Sequence, residues 1–125
     1  MRRKLVGAVL FLCAGFLAFE SVGLARTDNP EHVKQLRATG ACEGCDLRGA
    51  FLDAIILENG SLRRADLTGA SLYKADLRGA DLTGALLNET KLTGANLKGA
   101  KGALLAAAIT DERTTCPDVS AGPCR

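Results

Sequence analysis

The 125-residue chain has few aromatic residues and little of the chemistry that most enzymes need. It contains no tryptophan, one tyrosine, four phenylalanines and a single histidine, His32. A lone histidine near the start of a short surface segment is interpreted as a solvated side chain, because no second ligand or nucleophile accompanies it. No serine, threonine or cysteine has a plausible base partner in the sequence. We therefore expect a protein without enzymatic activity, cofactor or bound metal.

Net charge is also lacking once the N-terminal residues are set aside. Residues 1–25 hold three of the sixteen basic residues and one of the fourteen acidic residues, which leaves thirteen of each in the remainder. A neutral surface offers no broad positive field for a nucleic acid and no acidic field to imitate one. We expect no nucleic-acid partner.

No apolar run reaches the length that a helix needs to span a bilayer. Residues 5–19 are almost uninterruptedly apolar, but about fifteen residues fall short of the ~20 that a spanning helix needs. The run follows a basic opening at residues 2–4 and leads to small residues, Gly23 and Ala25, at the −3 and −1 positions of a cleavage site. This layout is typical of a secretory signal peptide, with a retained membrane anchor as the alternative. We expect export to the periplasm, or to the thylakoid lumen of a photosynthetic organism, and no membrane association after cleavage.

No cysteine lies between Cys45 and Cys116, although the chain contains five. Cys13 would be lost with the signal peptide. The four that remain are Cys42, Cys45, Cys116 and Cys124. An even number of cysteines in an exported chain indicates two disulfides. The segment "CEGC" also has the C-x-x-C spacing of a dithiol redox site or half of a zinc site. A structural disulfide is favoured there, with redox chemistry and metal binding as alternatives.

Leucine recurs at every fifth position through the middle of the chain, eleven times without an exception. On an α-helix, steps of five would scatter these side chains around the circumference, and on a strand they would alternate between the two faces. A backbone that turns once per pentad instead points every leucine at one axis, and stacked square coils of this kind form a solenoid. The predicted core consists of Leu47, Leu52, Leu57, Leu62, Leu67, Leu72, Leu77, Leu82, Leu87, Leu92 and Leu97.

The positions around each leucine repeat as well. Alanine stands two residues before it in seven pentads, where a small inward-facing residue leaves room for the leucine layer. Asp or Asn often stands directly before it, where the side chain can accept a hydrogen bond from a backbone N–H of a tight turn. Glycine often stands two residues after it, but we expect glycine to be convenient there rather than obligatory. The exceptions are Ala54, Asn59, Arg64, Lys74 and Glu89.

The segment "ADLTGASLYKADLRGADLTGA" resembles the pentapeptide-repeat family, whose motif is A-(D/N)-L-X-X. The resemblance implies the family's right-handed quadrilateral β-helix, with four pentads per coil, and hence an all-β solenoid of about three coils over residues 45–100. It further implies that a cysteine-containing tail closes the stack, as in exported members, with Cys116 paired to Cys124. The family's DNA-mimic proteins, which bind topoisomerases, suggest an alternative function, but short length, neutral charge and export argue against it.

Two segments flank the repeats and are expected to close their ends, which would otherwise expose open backbone groups. In residues 26–44, Asp28 or Asn29 can N-cap a helix that begins at Pro30 and stops before Gly40. We expect this helix to lie across the first coil. Residues 101–125 break the period and are expected to form an irregular turn or short helix followed by the cysteine tail. The predicted organisation is a signal peptide (1–25), a helical cap (26–44), the repeats (45–100) and a C-terminal cap (101–125).

The position before each leucine faces outward and is usually polar, but Phe51, Ile56 and Leu86 break that rule. Phe51 and Ile56 fall on adjacent faces of the first coil, and the favoured interpretation is that the N-terminal segment folds back over them. The alternative is an exposed patch, of the aromatic and arginine composition that binding hot spots favour. Its rim would consist of Arg48, Arg63 and Arg64. We expect a non-catalytic scaffold or protein–protein interaction module, monomeric or weakly dimeric, whose protein partner the sequence does not name.

Overall fold

The computed structural model describes residues 28–118 and 122–124. The predicted signal peptide, including Cys13, lies outside the described residues. Among those residues no helix is long and apolar enough to cross a membrane.

The predicted N-terminal helix is confirmed as α1, Pro30–Thr39. Asn29 is its N-cap, since the Asn29 side chain accepts a hydrogen bond from the Glu31 N–H at 3.0 Å. Gly40 ends the helix in the left-handed conformation, with φ 73°, and its N–H donates to the Leu36 carbonyl at 2.8 Å. Leu36 is fully buried and Val33 packs against the same core, so α1 covers the leucine layer at one end of the stack.

The repeats wind into coils of twenty residues. Parallel β-bridges join each outward position to the one twenty residues later, from Ala41↔Ser61 through Asp81↔Lys101. Each bridge is isolated, so the described residues contain bridged coils rather than extended strands. The pairing gives three regular coils, 41–60, 61–80 and 81–100, and the first begins four residues before the predicted boundary at Cys45.

Every pentad turns a corner in the same way. The carbonyl of the leucine accepts a hydrogen bond from the N–H three residues later, as from Ala50 N–H to Leu47 O at 3.1 Å. The residue two after the leucine has a positive φ, as the second central residue of a type II turn requires. Glu89, with φ 57°, adopts this conformation although it is not glycine. The structure therefore demands the left-handed conformation throughout, and the non-glycine residues there carry strain.

Inside the coil, none of the eleven leucines is more than 3% exposed. The position two residues before the leucine is also inward-facing, and Cys45 and Thr90 occupy it in two pentads. The buried Thr90 hydroxyl donates to the Leu67 carbonyl at 2.8 Å, which satisfies its polar group inside the apolar interior.

The Asp and Asn residues before the leucines stabilise the corners. The Asp66 carboxylate accepts the Thr68 N–H at 3.0 Å, and the Asn96 side chain accepts the Lys98 N–H at 3.1 Å. The same contact recurs at Asp46, Asp76 and Asp81. These are Asx turns, in which the side chain replaces a backbone acceptor.

The C-terminal segment adds a fourth, irregular coil. Its bridges are Lys91↔Ile109 and Asn96↔Thr115. They join residues that are fewer than twenty positions apart in the sequence, because the pentad period slips after Leu97. Leu105 is buried and extends the leucine core into this coil. The residues 101–118 thus form the irregular turn that the sequence offered as one of two arrangements.

Candidate functional site

The solenoid presents four outward faces, each defined by the column of bridged residues along it. The Phe51 face carries Phe51, Ser71, Lys91 and Ile109. The Ile56 face carries Ile56, Asp76, Asn96 and Thr115, and the Asp46 face carries Asp46, Asp66 and Leu86. The Ala41 face carries Ala41, Ser61, Asp81 and Lys101.

Phe51 and Ile56 are exposed side chains on two adjacent faces. Their exposed fractions are 73% and 74%, and no described residue covers either of them. The corner at Asp53 and Ala54 separates them, and Tyr73 occupies the same corner one coil further along. Tyr73 is itself 38% exposed. We call Phe51, Ile56 and Tyr73 the apolar corner.

Helix α1 borders the apolar corner without covering it. The Arg37 guanidinium donates a 2.7 Å hydrogen bond to the Phe51 carbonyl, which ties the last turn of α1 to the backbone beneath the aromatic ring. At the opposite end of the helix, the Asn29 N–H donates to the Asp46 carbonyl at 3.3 Å. Residues 28–40 therefore lie across the end of the stack, and the expectation that they fold back over the Phe51 and Ile56 side chains is wrong.

The Phe51 ring stands on a corner held by Asp53. The Asp53 carboxylate accepts the Tyr73 N–H at 3.1 Å and also bonds the Ser71 hydroxyl. The Lys74 ammonium lies 5.2 Å from the centre of the Tyr73 ring, within the range of a cation–π contact. These contacts fix the corner on which the exposed side chains are mounted.

The three arginines expected to rim the patch do not lie together. Arg48 stands at the corner between the Asp46 and Phe51 faces, where its guanidinium bonds both carboxylate oxygens of Asp46 at 2.8 and 2.7 Å. Arg63 and Arg64 instead form the corner that stacks on Gly44, diagonally opposite the corner between Phe51 and Ile56. Only Arg48 can therefore border the apolar corner, and the predicted rim is corrected accordingly.

Arg63 is held by two carboxylates on its own side of the solenoid. Its guanidinium nitrogens lie 3.4 Å from Glu43 and 3.3 Å from Asp81, which belong to the coils before and after it. This ladder links three consecutive coils. Arg63 therefore has a structural role in these ion pairs. The candidate binding surface lies on the opposite side of the solenoid, at the apolar corner.

Ion pairs also set the electrostatics of the Asp46 and Ile56 faces. The bidentate Arg48 hydrogen bonds lower the pKa of Asp46 from 3.8 to about 2. Arg78 lowers the pKa of Asp76 in the same way, and Arg78 also lies beside Glu58. Both aspartates remain ionised over the whole physiological range, so their role is structural rather than acid–base.

The cysteines form two local pairs. The Sγ atoms of Cys42 and Cys45 lie 1.94 Å apart, and those of Cys116 and Cys124 lie 2.02 Å apart. All four are buried, and Cys45 occupies an inward position of the first coil. The Cys42–Cys45 sulfurs are therefore shielded from an attacking thiolate in the folded protein. In the described part of the chain, no group of three or more potential ligands converges to hold a metal ion.

His32 has a role that the sequence did not indicate. Its Nδ1 accepts the Asp46 N–H at 2.9 Å, and so it pairs a backbone group at the open edge of the first coil. The interpretation of His32 as merely solvated is wrong. No local pattern could reveal this contact, since it joins residues fourteen apart in the sequence across the cap.

A cleft of about 430 Å³ lies between the irregular coil and the tail. Among the described residues that line it, Asp118 is the one acidic residue, and no histidine, lysine or free thiol accompanies it. The lining comprises Ala103, Leu105, Cys116, Pro117, Asp118, Pro123 and Cys124. This residue set offers no nucleophile–base pair of the kind that hydrolytic or transfer chemistry uses.

Comparison with known proteins identifies the repeat. The model of a family described as pentapeptide repeats matches residues 42–84 and 70–101, with eight copies of the repeat. The crystal structure of alr5209, a pentapeptide repeat protein from Nostoc PCC 7120, is 23% identical with a TM-score of 0.51. That comparison covers 78% of this chain and 88% of alr5209, and it shows a shared fold.

Two further solved structures match part of this chain. HetL, a pentapeptide repeat protein involved in heterocyst differentiation regulation from Nostoc sp. strain PCC 7120, is 32% identical, with a TM-score of 0.36. The match covers 66% of this chain and 43% of HetL. Rfr23 from Cyanothece 51142 is 21% identical over 68% of this chain and 97% of its own, with a TM-score of 0.33. The comparison with curated proteins found no match.

Proposed function

This chain belongs to the pentapeptide-repeat family, and we propose that it is an exported, non-catalytic interaction module that binds a partner protein through the apolar corner. The exposure of Phe51 and Ile56 carries the proposal. Both occupy positions that other pentads fill mainly with polar residues, so two large apolar side chains are held in water at adjacent places. Burying such a side chain contributes about 1.5–3 kcal/mol, which is available to a partner that covers it.

The scaffold supports this role by its stiffness. Backbone hydrogen bonds join the Phe51 pentad to the next coil, as from Leu52 N–H to Ser71 O at 2.7 Å and from Ala54 N–H to Tyr73 O at 2.8 Å. A surface that is already ordered loses little conformational freedom on binding. Right-handed winding of the coil, expected from the family, is part of the same proposal.

The non-catalytic part of the proposal is supported by the filled interior. Leucine side chains occupy the axis through three regular coils, so no deep pocket enters the solenoid there. Export is supported by the two cysteine pairs at disulfide distance, because such bonds persist in oxidising compartments such as the periplasm or thylakoid lumen.

A double variant, Phe51→Ser with Ile56→Ser, tests the proposal. The immobilised protein captures partners from an extract of the exported fraction, and the captured proteins are quantified for each variant. Loss of capture with an unchanged melting temperature is expected, because both side chains are exposed and contribute little to folding.

Leu86→Ser is the matched control. Leu86 occupies the same position of its pentad and is 51% exposed, but it lies on the Asp46 face near the far end of the stack. This variant should retain capture. Equal capture by the double variant and the wild-type protein would overturn the proposal, and a melting temperature lowered by several degrees would show that the two side chains serve the fold instead.

A further inference from the structure

We infer that the partner presents an acidic segment, which places an apolar side chain against Phe51 and carboxylates against the cations along the Phe51 face. The inference rests on the proposed function, since it names the chemistry of the surface that the apolar corner would bind. Two further observations support it, in addition to the exposure of Phe51 and Ile56. The outward positions of the Phe51 face lack Asp and Asn, and the cations near this face form no ion pairs with carboxylates of the described residues.

The Phe51 face lacks the residue that stabilises the other faces. The Asp46, Ile56 and Ala41 faces each carry at least one aspartate whose side chain caps a corner N–H. The bridged column of the Phe51 face is Phe51, Ser71, Lys91 and Ile109, without any Asp or Asn. Carboxylates from outside the column accept corner N–H groups instead, Asp53 from Tyr73 at 3.1 Å and Asp111 from Gly94 at 3.1 Å. The outward side chains of this column therefore do not serve as corner caps, and the apolar corner lies on the edge of this face.

The cations near this face are not neutralised by carboxylates of the described residues, although Arg37 donates to the Phe51 carbonyl and Lys74 lies against the Tyr73 ring. Arg37, Lys74 and Lys91 make no ion pair with any residue in 28–118 or 122–124. In contrast, Arg63 and Arg78 are each held by two carboxylates. Arg37, Lys74 and Lys91 thus differ from Arg63 and Arg78, whose charge is neutralised within the fold.

The spacing of these cations fits an extended segment. Arg37 bonds the carbonyl of Phe51 itself, and Lys91 lies two coils further along the same column. Because neighbouring coils are about 4.8 Å apart, Phe51 and Lys91 are separated by roughly 10 Å along the face. Three residues of an extended chain cover about that distance. An apolar residue flanked by carboxylates can therefore contact Phe51 while its neighbours reach Arg37 and Lys91.

A library of random twelve-residue peptides displayed on phage is the probe. Panning over the wild-type protein should enrich sequences that combine Asp or Glu with a large apolar residue. A labelled peptide from the enriched pool then gives dissociation constants by fluorescence anisotropy at 50 and 300 mM NaCl. Binding to the wild-type protein should weaken at the higher salt concentration, since exposed charges are screened.

Charge reversal at the face is the decisive variant. Lys74→Glu with Lys91→Glu should weaken peptide binding about tenfold or more, because attractive pairs become repulsive ones. Lys98→Glu with Lys101→Glu is the matched control, since it makes the same change in net charge away from the Phe51 face. The control should bind within about twofold of the wild-type protein.

The outcomes separate this inference from the proposed function. If Phe51→Ser abolishes peptide binding while both charge-reversal variants bind alike, the acidic partner is overturned and the apolar corner remains a binding surface. If Phe51→Ser has no effect on the selected peptides, the proposed function fails as well. An enriched pool without excess Asp and Glu, or no enrichment at all, overturns the inference. Co-sedimentation with phosphatidylglycerol vesicles that is lost in Lys74→Glu with Lys91→Glu would also overturn it, in favour of a membrane surface.

Discussion

Leu72→Asp should abolish cooperative unfolding of the whole stack. Leu72 is fully buried in the second coil, between the coils that contain Leu52 and Leu92. The substitution forfeits about 1.5–3 kcal/mol of leucine burial. It also places a carboxyl group among leucines with no designed partner, which adds several kcal/mol. The sum is comparable with the 5–15 kcal/mol by which a small domain is stable.

Thermal and urea unfolding, followed by far-ultraviolet circular dichroism, measure this effect. The variant should show no sigmoidal transition at neutral pH, while the wild-type protein unfolds cooperatively. Leu86→Asp is the control, because it introduces the same carboxyl group at an outward position where Asp66 caps a corner one coil earlier. It should unfold within about 0.5 kcal/mol of the wild-type protein. A Leu72→Asp protein that melts like the wild-type protein would refute the coil register.

Three other predictions concern strain, acid and thiols. Glu89→Gly should raise the free energy of unfolding by roughly 1 kcal/mol, because glycine adopts the positive φ of this corner without strain. The Asp46 carboxyl should titrate near pH 2 by NMR, and because its folded pKa lies below 3.8, its stabilising contribution is complete above about pH 4 and is lost as the pH falls through 2. Peptide mapping without reduction should find Cys116 joined to Cys124, and replacing both with serine should lower stability by roughly 2–3 kcal/mol.

The first two of these predictions have a paired control, and the third has a contradicting outcome. Gly69→Ala, one coil before Glu89 in the same corner column, should destabilise the protein by a similar amount, and opposite signs for the two changes are required. Arg48→Gln should raise the pKa of Asp46 towards 3.8, since Arg48 is the main cause of its low value. A crossed bridge between Cys116 and a cysteine of the N-terminal pair would contradict the arrangement of the two ends.

The five-residue leucine period was sufficient to predict the coil, because only a backbone that turns once per pentad buries every leucine. The Asp before Leu67 and the glycine at position 40 likewise carry local signals, since each satisfies a backbone requirement within a few residues. Glu89 shows the limit of that reasoning. The corner has a left-handed backbone whatever side chain occupies it. Because five pentads have another residue in place of glycine, residue frequencies alone did not reveal this backbone requirement.

The candidate surface depended on contacts between coils, and there the sequence was less informative. Phe51 and Ile56 are recognisable in the sequence because they are apolar residues at a position that is usually polar. That signal is local. Placing Arg63 requires counting faces around the coil, which sets it diagonally across from the apolar corner. The contacts of His32 and Arg37 join the cap to the first coil through tertiary packing, so no spacing in the sequence marks them.

Site-specific photo-crosslinking, carried out in the compartment to which we propose the protein is exported, tests the central claim most directly. A photoreactive phenylalanine analogue replaces Phe51 in one protein and Leu86 in another, so that both probes are exposed at the same position of their pentads. The account predicts a discrete crosslinked protein partner from position 51 and none from position 86. Equal crosslinking from both positions, or none from position 51, would contradict the claim that the apolar corner is the binding surface.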